Sequence, residues 1–406
     1  MASHIYRSME SRFHLNRRNF VKTAAGAVGA GLVLGNPLAW AQDKEKHQSP
    51  SKPATNIDEI LKIPRTESSM PGVFPGRVVE IRDADAVRDN YFDPEIIQQM
   101  FNTGLEKLTD LLSAESFGQF FTPDDVIGLK VNPVGPGLIA TRLELVDAII
   151  EWLITSGVPR ENIIIWDRFD YMLTQAGFTK ERFPGIGIVG LQTMDESAFE
   201  EGAEDRELWK GSDGDHISAR NFDPDVFYWA DIEAPQDDGY LHQHVFNDKK
   251  SYFGKLVTQK LTKIINLPVL KNTGNGISVA TKNLGYGAIC NTGRLHRPLF
   301  FDVCTEVLAF PALRDKVVLN IADGLRGQYD GGPMPAPQFA WDARRLYFST
   351  DAIAMDMICH YDLMARRKEM KISVDEHPRY TEYLRYAERI GLGVAAKDKI
   401  EHIVIG

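Results

Sequence analysis

The sequence has little cysteine, and it lacks the features of several specialised protein classes. Its 406 residues include three cysteines, too few for a disulfide scaffold or for a cluster held by four thiolates. Hydrophobic residues make up 43% and charged residues 25%, which excludes a disordered, collagen-like or multi-span membrane chain. The formal net charge of -10 argues against general binding of nucleic acid.

Residues 1–41 have the features of an export signal. Arg17-Arg18 is followed by Phe20 and Lys22, and then by an uncharged, glycine-rich stretch over 23–41. Ala39-Trp40-Ala41 places small residues at both specificity positions of a signal-peptidase site. The segment resembles a twin-arginine signal, which predicts export by the twin-arginine machinery, cleavage after residue 41 and a periplasmic location. A membrane anchor is the alternative, although the glycines and a proline make a poor lipid-facing helix.

The twin-arginine route carries proteins that are already folded, and many of them acquire a cofactor first. This favours a cofactor, for which a divalent metal is the candidate. No stable membrane span is expected after cleavage, since the remaining chain has no other long uncharged stretch of this kind.

The remaining chain is predicted to be a linker followed by one domain. Residues 42–75 are polar and are predicted to be a flexible linker. From residue 76 to 406 short apolar strands alternate with amphipathic helices, which predicts an α/β fold with a mainly parallel sheet flanked by helices. The predicted strands are 77–81, 126–131, 162–167, 264–270, 317–323, 346–349 and 400–405, and the predicted helices are 94–112, 143–154, one starting near 351, and 380–390. An acidic insertion at about 195–248 interrupts the alternation.

The stretch from Lys249 to Phe301 contains no Asp or Glu, although it holds nine Lys and Arg residues. In it a polar, glycine-rich turn at 271–276 follows an apolar strand. Ligands of parallel α/β sheets bind outside the carboxyl ends of strands, and glycines near a helix start favour an anion. We therefore predict a pocket for a carboxylate, phosphate or other small anion. A solvated basic face is the alternative, and the turn matches neither a Walker loop nor a dinucleotide fingerprint.

Candidate residues follow from this position. The predicted anion-binding residues are Lys271, Asn272, Lys282, Asn283 and Arg294. His296 lies between two arginines that favour its neutral form, and Asp323 ends a strand, so these two are the candidate catalytic residues for proton transfer. His242 and His244 would share one face of an extended segment, a spacing that suits a transition metal.

Several motifs in order resemble those of the domain of unknown function 362 family, over about 76–406. They are Gly128-Leu129-Lys130-Val131-Asn132-Pro133, Leu270-Lys271, Thr281-Lys282-Asn283-Leu284-Gly285, Arg294 with His296, Asp323-Gly324, Gly331-Gly332-Pro333, Ser349-Thr350-Asp351 through Asp356, and Gly391-Leu392-Gly393. The resemblance implies the fold and the site wall but supplies no reaction. Such proteins usually carry Thr-His after the strand lysine, whereas Asn272-Thr273 stand here. The iron–sulfur motifs of some members are absent, so no such cluster is expected in this chain.

Two functions are consistent with these features. The first is an exported enzyme that acts on a small anionic substrate, with or without the assistance of a metal. The second is a non-catalytic periplasmic binding protein or an accessory protein for metalloenzyme maturation. In the second case residues 195–238, with 15 acids against three bases, would form the partner surface.

Overall fold

The structure is a computed structural model that describes residues 52–192, 207–210, 216–218, 221–232, 249–296 and 299–406. The predicted signal at 1–41, the pair His242 and His244, and most of the acidic insertion lie outside these residues. Among the described residues, none of the helices is long and apolar enough to cross a membrane.

Strands and helices alternate along the chain much as the hydrophobic pattern predicts. The strands are β1 Arg77–Arg82, β2 Val87–Arg88, β3 Tyr91–Phe92, β4 Ile127–Lys130, β5 Ile163–Phe169, β6 Gly187–Gln192, β7 Glu207–Lys210, β8 His216–Ser218, β9 Phe222–Trp229, β10 Lys250–Gly254, β11 Lys263–Asn266, β12 Val269–Thr273, β13 Gly276–Ile277, β14 Val317–Gln328, β15 Ala340–Trp341, β16 Arg345–Ser349 and β17 Glu401–Ile405. The α-helices are α1 Ile57–Ile60, α2 Pro94–Thr109, α3 Ser113–Ser116, α4 Leu143–Thr155, α5 Asp170–Gln175, α6 Ala280–Gly285, α7 Phe300–Glu306, α8 Pro311–Arg314, α9 Ala352–Glu369 and α10 Arg379–Arg389.

A large, mainly parallel sheet organises the domain, which confirms the predicted α/β class. Its strands lie in the order β17, β1, β16, β14, β11, β4, β5, β6. The five strands from β14 to β6 run parallel to one another. Only β16 is antiparallel to both of its neighbours in this order, β1 and β14. The carboxyl ends of the five parallel strands therefore meet at one edge of the sheet.

The sheet is buried on both faces. Successive side chains of a strand point to opposite sides, so neighbouring residues enter two different cores. Ile264 belongs to one apolar core and its neighbour Ile265 to the other. Helices α2 and α4 cover the face of Ile265, whereas α6, α7, α9 and α10 cover the face of Ile264. This explains why the strands read as short, continuous apolar runs in the sequence.

The two longest helices begin at aspartates that the sequence places there. Asp93 accepts hydrogen bonds from Glu95 N at 3.0 Å and Ile96 N at 3.2 Å, and proline follows it at the first helical position. Asp351 likewise accepts from two backbone N–H groups of α9. Its second oxygen accepts from Gly76 N at 3.0 Å and Val394 N at 2.9 Å, so it also joins the two ends of the domain.

The strand predicted over 264–270 is two strands, β11 and β12. Pro268 lies between them and has no N–H to donate to a neighbouring strand, which interrupts the ladder. Its carbonyl accepts a hydrogen bond from Asp323 N at 2.8 Å. Pairing resumes at Val269, which carries β12 past the end of β11 while keeping it parallel to β14.

Residues 52–75, predicted to belong to a flexible linker over 42–75, are packed against the domain. Ile57 and Met70 are buried in the core, and Thr55 forms a β-bridge with Ala230. Lys52 forms an ion pair with the buried carboxylate of Glu306. The prediction is wrong for this part of the segment because a few apolar side chains are enough to anchor a polar stretch.

A buried carboxylate holds the strand β1 between β16 and the edge strand β17. Glu80 accepts hydrogen bonds from Arg82 Nε at 2.7 Å, Arg345 Nη1 at 2.9 Å and His402 Nε2 at 3.0 Å. Burial alone would raise the pKa of Glu80, but the hydrogen bonds outweigh it and lower the pKa to about 2. The network ties β1 to β16 and β17.

We expect Gly104→Ala to destabilise the domain where α2 crosses the sheet. A Cβ at residue 104 would lie 2.1 Å from Cε2 of Phe348, whose buried ring also packs against Phe101. Overpacking of this kind costs about 1–3 kcal/mol of unfolding free energy, measured by urea denaturation. Gly118→Ala is the control, since its Cβ would meet no atom within 4 Å. Equal stability of the two variants would contradict this account of the helix–sheet contact.

Candidate functional site

The direction of the chain through the sheet reverses between β4 and β11. From β4 the chain builds outward through β5 and β6, and it then returns to place β11 and β14 on the other side of β4. Such a switch point leaves a crevice at the carboxyl ends of the two central strands, where open α/β sheets bind ligands. Lys130 ends β4 and Asn266 ends β11, so these two side chains flank the crevice.

A row of buried polar residues crosses the sheet at this point. Lys130 is in register with Asn266, Asn266 with Asn320, and Asn320 with Ser349. Each is the first buried polar residue after an apolar run in its strand, and all four are almost fully buried. Buried polar groups require partners, so the row must be hydrogen-bonded within the protein.

The partners are provided by a chain of asparagine side chains that all point the same way. Asn132 Nδ2 donates to Asn283 Oδ1 at 3.1 Å, and Asn283 Nδ2 donates to Asn266 Oδ1 at 2.8 Å. Asn266 Nδ2 donates to Asn320 Oδ1 at 2.9 Å, and Asn320 Nδ2 ends the chain on the carbonyls of residues 349 and 350. The amide oxygens are therefore directed toward the lysines at the start of the chain.

Lys130 is the most completely paired of three lysines at this site. Its Nζ donates to Val131 O at 3.0 Å and Asn283 Oδ1 at 3.2 Å, and it forms an ion pair with Asp167. Asp167 lies near the end of β5, so neighbouring parallel strands supply the pair. Gly287 allows this packing, because a Cβ there would lie 2.7 Å from Lys130 Nζ.

Lys271 lies beside it on β12 and has no carboxylate partner among the described residues. Its Nζ donates to Asn132 Oδ1 at 2.9 Å and to Val134 O at 3.4 Å. Burial, and then the positive charge of Lys282, lower the pKa of Lys271 to about 7. The charge of Lys130 lowers the pKa of Lys271 further, whereas the charge of Asp167 raises it. Lys130, Lys282 and Asp167 are therefore all close enough for their charges to act on Lys271.

Lys282 is the least buried of the three lysines, and its ammonium makes no hydrogen bond or ion pair with the described residues. The Nζ lies 5.4 Å from the ring centroid of Tyr286 and 5.5 Å from that of Phe300. The same two rings contact His296, at 4.7 Å and 5.7 Å between centroids. Desolvation lowers the pKa of Lys282. The structure therefore brings together Lys282 and His296, whose Nδ1 lies 2.9 Å from Thr292 O.

Arg294 does not join this cluster. Its guanidinium donates to Ala230 O at 3.2 Å, to Lys249 O at 2.7 Å and to Ser251 Oγ at 3.0 Å. The arginine thereby anchors the turn at 293–295 to the ends of β9 and β10. Neighbours within a 3-10 turn project in different directions, which separates Arg294 from His296.

Asn272 and Asp323 also have local structural partners. Asn272 Nδ2 donates to Gly274 O at 2.8 Å, and its Oδ1 accepts from Gly332 N at 3.0 Å, so it joins two turns. Asp323 accepts from Arg142 N at 2.7 Å and Leu325 N at 3.0 Å. Burial raises the pKa of Asp323 to about 6, against the charge of Arg142 and these hydrogen bonds. Neither side chain contacts the lysine cluster.

The sequence prediction missed four residues of the site: Lys130, Asn132, Asn266 and Asp167. A signal for them is present in the sequence, since each closes or directly follows a short apolar strand with a polar side chain. For a single strand this pattern is ordinary. It becomes informative only when several parallel strands end in the same way, because their carboxyl ends share one edge.

No group of three or more His, Cys, Asp or Glu residues able to hold a metal ion occurs among the residues that the structure describes. The predicted ligands His242 and His244 lie outside those residues. The three cysteines are buried and free. Burial is the main reason why the pKa of each thiol is raised.

Fold and site together define an α/β protein with a basic cluster at the switch point of a parallel sheet. The family model described as "Domain of unknown function (DUF362)" matches residues 127–361, more than half of the chain. The protein therefore belongs to this family, as the sequence motifs predict. No curated protein matches the chain.

We expect Asn266→Leu to destabilise the domain, because it breaks the asparagine chain in the middle. Each buried polar partner left without a hydrogen bond costs about 1–3 kcal/mol, and both Asn283 and Asn320 lose one. Urea denaturation measures the loss. The control Asn102→Leu removes a partly exposed amide that accepts one bond, from Gln98 Nε2 at 3.3 Å, and it should change stability little. Equal stabilities of the two variants would show that the asparagine chain does not contribute to the free energy of unfolding.

Proposed function

We propose that this protein is an exported enzyme that binds a small anionic substrate at the cluster of Lys130, Lys271 and Lys282. The observation that carries the proposal is the charge balance of the cluster. Among the described residues, the only carboxylate in contact with the three lysines is Asp167, which pairs with Lys130, while the charges of Lys130 and Lys282 both act on Lys271. A bound carboxylate, phosphate or sulfate group would supply the missing negative charge.

Lys282 is the best candidate for direct contact with the anion. It is the most exposed of the three lysines and has no hydrogen-bonding partner among the described residues. His296 packs against the same aromatic rings and is well placed to exchange a proton with the substrate. Metal assistance and a periplasmic location remain predictions from the sequence, as does the alternative of a non-catalytic binding or accessory protein.

A substitution at Lys282 tests the anion site. Lys282→Met should weaken sulfate binding at least tenfold by isothermal titration calorimetry, since a charge-assisted hydrogen bond contributes roughly 1.5–3 kcal/mol. Lys260→Met removes the same charge from an exposed position of the same acid-free segment, and it should leave affinity nearly unchanged. If both variants lose affinity equally, the segment is a solvated basic face and the proposal fails.

The pH dependence of binding tests the part played by Lys271. Its pKa in the free protein is lowered to about 7, and a bound anion would raise it, so binding takes up a proton above that pH. Sulfate keeps its charge across this range. Its affinity should therefore be greatest below about pH 7 and should fall as the pH rises, by at most about tenfold per pH unit. Lys271→Met should flatten the profile, and an unchanged profile would contradict this role.

A further inference from the structure

The hydrogen bonds of Lys130 and Lys271 differ in number and in kind. An ammonium has three N–H donors, whereas a neutral amine has two donors and one lone pair. Lys130 Nζ has three acceptors, one of them the carboxylate of Asp167. Among the residues that the structure describes, Lys271 Nζ has two acceptors, Asn132 Oδ1 at 2.9 Å and Val134 O at 3.4 Å, and neither is charged. The surroundings of Lys271 thus match an amine and those of Lys130 match an ammonium.

The asparagine chain fixes this arrangement. Asn132 Oδ1 accepts from Lys271 Nζ and also from Val134 N at 3.3 Å, while its Nδ2 is directed to Asn283. A rotation of the Asn132 amide would turn its Nδ2 toward Lys271 and break the bond to Asn283. The atom next to Lys271 Nζ is therefore fixed as the amide oxygen of Asn132, a neutral hydrogen-bond acceptor.

The charges around Lys271 favour the same state. Lys282 and Lys130 repel a third positive charge, and Asp167 is engaged by Lys130. Lys271 is also 1% exposed, so little water is present to solvate an ammonium. The lowering of its pKa to about 7 is consistent with this geometry. Desolvation and neighbouring cations are the means by which lysines become nucleophiles.

We propose that Lys271 is a nucleophilic amine that forms an imine with a small substrate carrying both a carbonyl group and an anionic group. This inference rests on the proposed anion site, and it adds the chemical class of the substrate. The charge of Lys282 acts on Lys271, so in this proposal Lys282 holds the anionic group while the carbonyl carbon meets Nζ of Lys271. The substrate class is a 2-oxo acid or a close equivalent with a carboxylate beside its carbonyl.

The reaction balances without any oxidant or reductant. The lone pair of Lys271 Nζ forms a C–N bond to the carbonyl carbon, and the C=O electron pair moves to oxygen, which takes a proton. Nζ gives up its two protons in all, one water molecule leaves, and the C=N bond forms. Hydrolysis of the imine reverses each step and restores the free amine.

The test is reductive trapping on the purified, exported protein. Glyoxylate serves as the probe with sodium cyanoborohydride, which converts an imine into a stable secondary amine. Peptide mapping by mass spectrometry then locates the added carboxymethyl group. Lys316 is the internal control, because it is also desolvated and donates to two backbone carbonyls, at 2.7 Å and 3.2 Å, yet it lies outside the cluster.

We expect modification of Lys271 at near-neutral pH, at least tenfold faster than that of Lys316. Lys282→Met should raise the glyoxylate concentration for half-maximal trapping at least tenfold. Trapping at Lys271 no faster than at Lys316 would overturn the inference. Far-ultraviolet circular dichroism of each variant confirms that it is folded.

Asn132→Asp separates a chemical from a structural role. It places a carboxylate at the position that now lies 2.9 Å from Nζ, which stabilises the ammonium of Lys271 and raises its pKa. Trapping near pH 7 should fall at least tenfold and recover at alkaline pH. A loss that does not recover with pH, in a folded variant, would count against the amine mechanism.

Glyoxylate binding, measured by calorimetry without the reductant, distinguishes this inference from the proposed function. Binding that depends on Lys282 but yields no adduct at Lys271 would overturn imine formation and leave the anion site standing. The absence of both binding and adduct would overturn the two together. An adduct at Lys271 whose rate saturates with glyoxylate would support both.

Discussion

The need to stabilise buried lysines at the switch point determines much of the surrounding structure. A desolvated ammonium or amine requires acceptors, and a single carboxylate contacts this cluster among the described residues. The remaining acceptors are amide oxygens, which are neutral and hold their orientation only if their own N–H groups are bonded. The row of hydrogen-bonded asparagines from Asn132 to Asn320 meets that requirement. It ends on backbone carbonyls at the end of β16.

The uneven distribution of charge along the sequence corresponds to the composition of this site. Residues 249–301 carry no acid, and the two lysines that they bring to the cluster form no ion pair with any carboxylate in the described part of the chain. The one carboxylate comes from β5 and is engaged by Lys130. Within the described residues, the cluster therefore contains one lysine with a carboxylate partner and two without. That asymmetry is the basis of both proposals, since one lysine can hold an anion while its neighbour reacts as an amine.

The fold was largely predictable, whereas the site was only partly so. Strands buried on both faces are visible as short apolar runs, and aspartates such as Asp93 and Asp351 mark helix starts. Lys271, Lys282 and Asn283 are predicted from one acid-free segment, and the structure places all three at the candidate site. Lys130 and Asp167 lie far earlier in the chain, and only the strand order brings them near. Arg294 lies apart from the lysines because adjacency in sequence does not fix the direction of a side chain within a turn.

The edge of the sheet has a consequence for what the family segment can do alone. The match ends at residue 361 and begins at 127, so it includes β16 but neither β1 nor β17. Without those two strands the backbone of β16 would present an unpaired edge, and Asp351 would lose the N–H groups of Gly76 and Val394. The segment recognised as the family therefore depends on its flanking regions for the pairing of β16 and for two hydrogen bonds of Asp351. The flanking regions add the strands that cover the edge of β16, as capping repeats cover the ends of a repeat protein.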